Sequence, residues 1–309
     1  VLSVIFSSNR KSIVSLTSDN TIKIWDTETG REIKTINGHP GGTSAAVFSP
    51  NGRFIVSAGY DHNIKIWDAE TGRIIRTFSG HTQTVNSATF SPDGLSIVSA
   101  SSDHTIKIWD TETGREIRTL TGHSNDVQSA TFSPNGFTIA SASHDNTIKI
   151  WDAETGRETR TLNGHSSWVH SADFSPDGRL IVSAGDDHTV KLWDAGTGDE
   201  IVSLENIVRP FSAAFNPPGD RICIGTSEGI LLAAISYKGN GKGNEKEIKG
   251  LEIVGAFYHL PGNEWAAVGA DNRFACSEGG RAFLYFADRL ALYPASDLPE
   301  LESPNGIFA

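Results

Sequence analysis

Residues 80–121 read GHTQTVNSATFSPDGLSIVSASSDHTIKIWDTETGREIRTLT, and the fold follows from the way this stretch returns, lightly edited, on both sides of itself. Its Trp109-Asp110 pair recurs as Trp25-Asp26, Trp67-Asp68, Trp151-Asp152 and Trp193-Asp194, each 42 residues from the next. Its opening Gly80-His81 pair recurs at the same period as Gly38-His39, Gly122-His123 and Gly164-His165. A fixed period of this length marks stacked supersecondary units, each burying its apolar faces against its neighbours. Such an array escapes the usual size limit on a single core, so the 309 residues are read as one closed domain.

Inside one unit, four short strand patterns lie between turn signals, at 85–90, 96–100, 105–109 and 116–120, which predicts a four-stranded antiparallel sheet. Ser91-Pro92-Asp93-Gly94 supplies the first turn, with Pro fixing φ and Gly accepting a positive φ, and Thr111-Glu112-Thr113-Gly114 supplies the third. The alternation of Ile106 and Ile108 with Lys107 and Trp109 makes both faces of the third strand usable, as a sheet packed between two others requires. Arg115, Glu116 and Arg118 place charge on the fourth strand, which discourages pairing with another molecule and identifies the rim.

Composition narrows the function classes. A net charge of −11 opposes the phosphate backbone of nucleic acids and anionic membrane surfaces, which both need a basic footprint. No apolar run reaches membrane-span length, and residues 1–15 lack the pattern of a signal peptide. Cys223 and Cys276 both fall in strand patterns and are read as two buried thiols, which favours an intracellular, cytoplasmic setting. The sequence has no methionine and starts at Val1 part-way through a repeat, so it is read as a domain of a larger polypeptide.

The Gly-His to Trp-Asp signature and its spacing resemble the WD40 family over residues 1–205. The resemblance implies a β-propeller, each repeat forming one blade around a central channel. It also implies a hydrogen-bond network joining the Gly-His histidine, a Ser or Thr, a turn Asp and the Trp. The matching sets are His39, Ser57, Asp61 and Trp67; His81, Ser99, Asp103 and Trp109; His123, Ser141, Asp145 and Trp151; and His165, Ser183, Asp187 and Trp193. The first blade keeps Ser15, Asp19 and Trp25 without a histidine. The near-identity of the repeats further resembles the WD40 arrays attached to NTPase-type signalling proteins.

Beyond Leu204 the pattern wears thin. Phe215-Asn216-Pro217-Pro218-Gly219 echoes Phe174-Ser175-Pro176-Asp177-Gly178, and Phe257 follows Phe215 by 42 residues. Asp271-Asn272 lines up with Asp145-Asn146, but Ser277 and Glu278 stand where Trp and Asp belong. The expectation is an all-β, seven-bladed WD40 β-propeller of four-stranded blades, five regular and two degenerate. Its units are placed at 1–37, 38–79, 80–121, 122–163, 164–206, 207–250 and 251–287. Residues 238–244, rich in Gly and Lys, read as an insertion between the third and fourth strands of the sixth unit, and 288–309 as a tail that could help close the ring.

Asp, His and Ser recurring together invite a catalytic reading, since that set performs acyl transfer elsewhere. Here the set occurs four times at one spacing, each time with a Trp whose indole can only donate, so a structural role is expected. No metal-binding spacing is present, no cofactor is expected, and His62, His104 and His188 read as exposed turn residues. The Gly-rich stretch lacks the Gly-Lys-Ser/Thr ending of a phosphate loop.

If repeated residues hold the frame, specificity is written where repeats differ. The residue after the Gly-His loop is Ser44, Asn86, Gln128 or His170, and the residue before the turn Asp is Ser18, Tyr60, Ser102, His144 or Asp186. In the implied propeller both sets edge the top face, together with Trp168 and Phe211. Aromatic groups among small polar ones are typical anchors for a protein or peptide. The expected function is therefore a non-catalytic interaction platform, the recognition domain of a larger signalling protein. The alternatives are a hydrolase-type propeller using His144, His170 and Asp186 at the channel mouth, or a structural spacer.

Overall fold

The computed structural model describes residues 3–17, 19–237, 248–260, 264–269 and 274–276, with side chains described as far as residue 256. Every regular element in them is a strand, and no helix long and apolar enough to cross a membrane occurs among them. Blade 1 comprises β1 (Ser3–Phe6), β2 (Ser12–Leu16), β3 (Thr21–Asp26) and β4 (Glu32–Asn37). Blade 2 comprises β5 (Thr43–Phe48), β6 (Phe54–Gly59), β7 (Asn63–Asp68) and β8 (Ile74–Ser79). Blade 3 comprises β9 (Val85–Phe90), β10 (Ser96–Ser101), β11 (Thr105–Asp110) and β12 (Glu116–Thr121). Blade 4 comprises β13 (Val127–Phe132), β14 (Thr138–Ser143), β15 (Thr147–Asp152) and β16 (Glu158–Asn163). Blade 5 comprises β17 (Val169–Phe174), β18 (Leu180–Gly185), β19 (Thr189–Asp194) and β20 (Glu200–Leu204). Each is a four-stranded antiparallel meander, as the repeat predicts.

The sixth sheet departs from the expected pattern. It holds six strands in order, β21 (Pro210–Phe215), β22 (Arg221–Thr226), β23 (Gly229–Tyr237), β24 (Ile248–Leu260), β25 (Glu264–Gly269) and β26 (Phe274–Cys276). The expected unit boundary at 250/251 falls inside β24, which pairs with β23 from Ile248 to Tyr258 and with β25 from Gly255 to Leu260. The physical reason is local: no Gly-His pair and no turn cluster interrupts residues 248–260, so one long strand serves both units. Cys223 and Cys276 lie in β22 and β26, and the Cys223 thiol is free and half-buried. Ser18, Asp271, Asn272, Ser277, Glu278, the stretch 238–244 and the tail 288–309 lie outside the described residues.

The blades stack through apolar layers. Val56, Ala58, Ile64, Ile66 and Phe78 of blade 2 pack with Val85, Ala88, Phe90, Ile97 and Trp109 of blade 3. Ile106 and Ile108, on the opposite face of the same strand as Trp109, pack with Val127, Ala130, Phe132 and Trp151 of blade 4. Both faces of β11 are thus buried, and each large side chain so placed contributes roughly 1.5–3 kcal/mol. The first strands sit beside one another in succession, β5 by β9, β9 by β13, β13 by β17 and β17 by β21, and form the inner edge. The fourth strands, mostly exposed, form the rim.

Polar fasteners join neighbouring blades at both radii. At the inner edge Ser87, Ser129 and Ser171 each accept a hydrogen bond from the Ala130, Ala172 or Ala213 N–H of the next blade, at 3.2, 3.2 and 3.0 Å. At the rim Lys34 and Arg76 donate to the Thr71 and Thr113 carbonyls at 3.4 and 3.1 Å, and Arg160 donates to that of Gly196. The rim cations therefore brace the next blade's turn as well as blunting an edge. Ser129→Ala leaves the buried Ala172 N–H without its acceptor and is expected to cost about 1–2 kcal/mol in denaturant unfolding, with blade 4 and blade 5 signals affected together.

Candidate functional site

In four blades the predicted network is complete. The His39, His81, His123 and His165 Nδ1 atoms lie 2.7, 2.8, 2.7 and 2.8 Å from Asp61, Asp103, Asp145 and Asp187. Their Nε2 atoms lie 2.7, 2.8, 2.7 and 2.7 Å from the Ser57, Ser99, Ser141 and Ser183 hydroxyls. Trp67, Trp109, Trp151 and Trp193 donate their indole N–H to the same hydroxyls at 2.7–2.9 Å. With the Asp ionised, Nδ1 carries the proton and donates to it, Nε2 accepts from Ser, and Ser accepts from Trp. In blade 1 Trp25 donates to Ser15 at 2.8 Å, and Thr17 donates to Asp19.

The arrangement has the connectivity of a catalytic triad without its access. All four serine side chains are sealed at 0% exposure, and the indole N–H occupies the hydroxyl oxygen that would have to attack. A nucleophile must reach its substrate, so these sets hold the frame. The glycine before the histidine in blades 3–5 is required by the same packing: a Cβ at Gly80, Gly122 or Gly164 would come 2.9–3.1 Å from the Trp109, Trp151 or Trp193 ring.

Burial works against the charge on Asp103, but hydrogen bonds from His81, Thr105 and the Thr82 N–H outweigh it and hold the carboxyl far below its ordinary value. Asp145 is held low by the same balance, through His123, Thr147 and the Ser124 N–H. Burial lowers His165 and His39, so these imidazoles are neutral at pH 7. Blade 2 departs: Pro40 has no N–H to offer Asp61, Asn63 stands for the Thr, and Ile74 stands for the Glu that pairs with the strand lysine elsewhere. Lys65 turns instead to Asp61, at 3.4 Å.

Within each blade the turn and the loop that carry the two variable sets are joined by backbone hydrogen bonds. In each of four blades the residue before the turn Asp donates its N–H to a loop carbonyl: Tyr60 to Gly42, Ser102 to Thr84, His144 to Asp126 and Asp186 to Trp168, at 2.8–3.0 Å. The residues after the turn Asp, among them His62, His104 and His188, take φ near +65°, so they are turn residues as expected.

Five of the ten predicted binding residues come together across blades 4, 5 and 6. Trp168 stacks on His144 with ring centroids 4.3 Å apart and planes 14° apart. His144 meets His170 edge to face at 5.6 Å, and His170 meets Phe211 at 5.9 Å. Asp186 Oδ1 lies 2.8 Å from His170 Nε2, but off the line a ring N–H needs, so the contact is an ion pair on protonation and not a hydrogen bond. Burial and the neighbouring His170 hold His144 below its ordinary value, against the pull of Asp126 and Asp186. Trp168 is 48% exposed and Phe211 45%.

The other five behave differently. Tyr60, 56% exposed, stands apart on blade 2 over Gly41 and Gly42. Ser44 donates to the Val85 carbonyl at 2.5 Å, and Asn86 donates to the Val127 carbonyl at 2.9 Å and to Ser102 at 3.1 Å. Ser44, Asn86 and Ser102 are thus engaged in bracing neighbouring blades and turns, and Gln128 is half-buried at the equivalent place.

Two features escaped the sequence reading. Each Trp-Asp carboxylate folds the third turn: Asp110 accepts the Thr113 N–H and hydroxyl at 2.6 and 2.7 Å, a role signalled by the recurring Asp-x-x-Thr spacing. Asp173, on β17, stands where other repeats have Val47, Thr89 or Thr131, and it shares the inner-edge face of Ser171. Burial pushes its carboxyl up to about 6, partly opposed by the Phe174 N–H.

The chain matches two families of known proteins. Residues 84–269, more than half of the chain, match the model described as IFT122 first beta-propeller, and residues 1–26 and 30–68 match the WD domain, G-beta repeat. No curated protein gives a significant match to it.

Two substitutions separate the carboxylates by sign. Asp103, depressed on folding, contributes stability that is complete above its unfolded value near 4 and is lost as pH falls below it. Asp103→Asn is therefore expected to cost about 2–3 kcal/mol at pH 7 and progressively less toward pH 2, read from unfolding midpoints. Asp173, raised on folding, penalises the folded state as pH climbs from about 4 through about 6. Asp173→Asn is expected to stabilise the chain by on the order of 1–2 kcal/mol at pH 8 and to be neutral at pH 4.

Proposed function

This chain belongs to the WD40-repeat β-propellers, and from that premise we propose that it is a non-catalytic interaction platform that receives a protein or peptide on its top face. The observation that carries the reading is the row Trp168, His144, His170 and Phe211, contributed by three blades and partly open to solvent. Large aromatic groups held rigid by their neighbours are the usual anchors of a binding surface, because little side-chain entropy is lost when a partner covers them. A partner that is itself nucleic acid or an anionic membrane fits poorly, since the loops of this face in blades 2–5 carry Asp126 and Asp186 and no Lys or Arg. The free thiol of Cys223 supports an intracellular setting.

A hydrolase reading has one observation in its favour, the approach of His170 to Asp186 at 2.8 Å. It lacks a nucleophile: among the described residues no Ser, Thr or Cys side chain hydrogen-bonds to His144 or His170, and the buried Nε2 atoms of both rings have no hydrogen-bond partner. A binding role uses the same groups without that requirement.

The test is affinity capture from a cell lysate with the chain and with Trp168→Ala and Tyr60→Ala variants of equal circular dichroism. The expected outcome is a partner retained by the parent chain and lost, or weakened at least about tenfold, in Trp168→Ala, as truncating an aromatic anchor does. Because Tyr60 stands outside the row, its substitution is expected to have the smaller effect. Equal capture by Trp168→Ala would remove the top face of blades 4–6 as the site.

A further inference from the structure

We propose that the Trp168 row recognises a positively charged side chain of its partner, specifically a guanidinium laid on the open face of Trp168 between the carboxylates of Asp126 and Asp186. This rests on the top-face reading above and names the chemistry of what that face takes. Three observations point to it independently.

The first is the covering of Trp168. His144 lies nearly parallel over one face of the indole, at 4.3 Å, while the side chain as a whole is half exposed. The exposure therefore belongs to the opposite face and the ring edge. Of the described tryptophans, Trp168 has the most exposed ring, the repeat tryptophans of blades 2–5 being buried. An open indole face held flat by a neighbour is the best of the side-chain surfaces for a cation, through the negative face of its quadrupole.

The second is charge. Asp126 and Asp186 both act on His144, the ring stacked on Trp168, and their side chains are 34% and 27% exposed. The backbone fixes them there, His144 N–H donating to Asp126 C=O at 2.9 Å and Asp186 N–H donating to Trp168 C=O at 2.8 Å. The other charged or titratable groups at the row are His170, whose Nε2 meets Asp186, His104, whose Nε2 lies 3.6 Å from Asp126, and Arg209, whose guanidinium lies over Phe211 at the far end. A planar fork of N–H donors fits two flanking carboxylates and an aromatic face together, where a point-like ammonium meets fewer of them.

The third is an internal precedent at the far end of the row. Arg209 places its guanidinium over Phe211, 6.0 Å from the ring centre. It does so from a backbone φ of +41°, a conformation that side chains disfavour, so the loop holds this cation in place against a local cost. Phe211, 45% exposed, thus already carries a cation of the chain on its ring, a contact of the kind proposed for Trp168.

The experiment uses the chain labelled with 5-fluorotryptophan, whose fluorine NMR spectrum separates the tryptophans, with the Trp168 signal identified by Trp168→Phe. The probes are N-acetyl-arginine amide and its uncharged near-isostere N-acetyl-citrulline amide. The arginine probe is expected to move the Trp168 signal saturably in the millimolar range, the citrulline probe to bind at least about fivefold more weakly, and the repeat tryptophans to stay fixed. Asp186→Asn and Asp126→Asn should each weaken the arginine probe about threefold or more, whereas Asp199→Asn, on the rim, should not. Equal response to the two probes, an unmoved Trp168 signal, or equal loss in Asp199→Asn would overturn the proposal. The broader reading fails separately: partner capture unchanged by Trp168→Ala sinks the top-face platform, while capture lost in that variant together with an unmoved Trp168 signal sinks the cation alone.

Discussion

In blades 2–5 one serine hydroxyl per blade, without solvent exposure, is the point on which the repeat unit turns. Ser99 receives the indole N–H of Trp109 from the third strand and gives its own proton to His81 from the loop before the first strand. His81 passes the chain of bonds on to Asp103 in the turn between the second and third strands. Four separate pieces of one unit are thereby fixed by a single path, and any missing member would leave buried polar groups unpaired. Because Asp103 also holds the Thr82 N–H, the path ends by clamping the loop that edges the top face. The rigidity of that face is a consequence of chemistry hidden beneath it.

Above this frame, small departures between blades create the differences that matter. Blade 2 lost the loop N–H at Pro40 and the strand carboxylate at Ile74, and Lys65 moved to Asp61 to compensate. Blade 5 gained Trp168 and His170, and blade 4 gained His144, which together stack into a row that no single repeat could form. The row lies at the junction of blades, where the inner-edge serines and rim cations hold neighbours in register.

The fold was legible because a period in sequence is a period in space: the Trp-Asp pairs predicted five blades, and β9 to β12 lie within a residue or two of the expected strands. The network was legible through the resemblance, down to each His, Ser, Asp and Trp. The face was half legible. Comparing repeats finds where residues differ but not which way they point, so the internal hydrogen bonds of Ser44, Asn86 and Ser102 to neighbouring blades and turns carried no signal in the sequence. Asp173 was hidden because an Asp in a strand carries no signal of its own, and only its shift from Thr89 and Thr131 marks it. The sixth sheet escaped because worn repeats lose the turn residues that fix a boundary, and strand β24 runs on where no turn stops it.

The central claim is that the buried network clamps the exposed loop, and amide hydrogen exchange reads this directly. The Thr82, Ser124 and Ser166 N–H groups belong to exposed loop residues but donate to Asp103, Asp145 and Asp187 at 3.0, 3.0 and 2.9 Å. The account predicts that these three amides exchange as slowly as the core strands, opening only with their blades, while the neighbouring Gln83 and Ser167 amides exchange far faster. Exchange of all five at the rate of a free loop would contradict it.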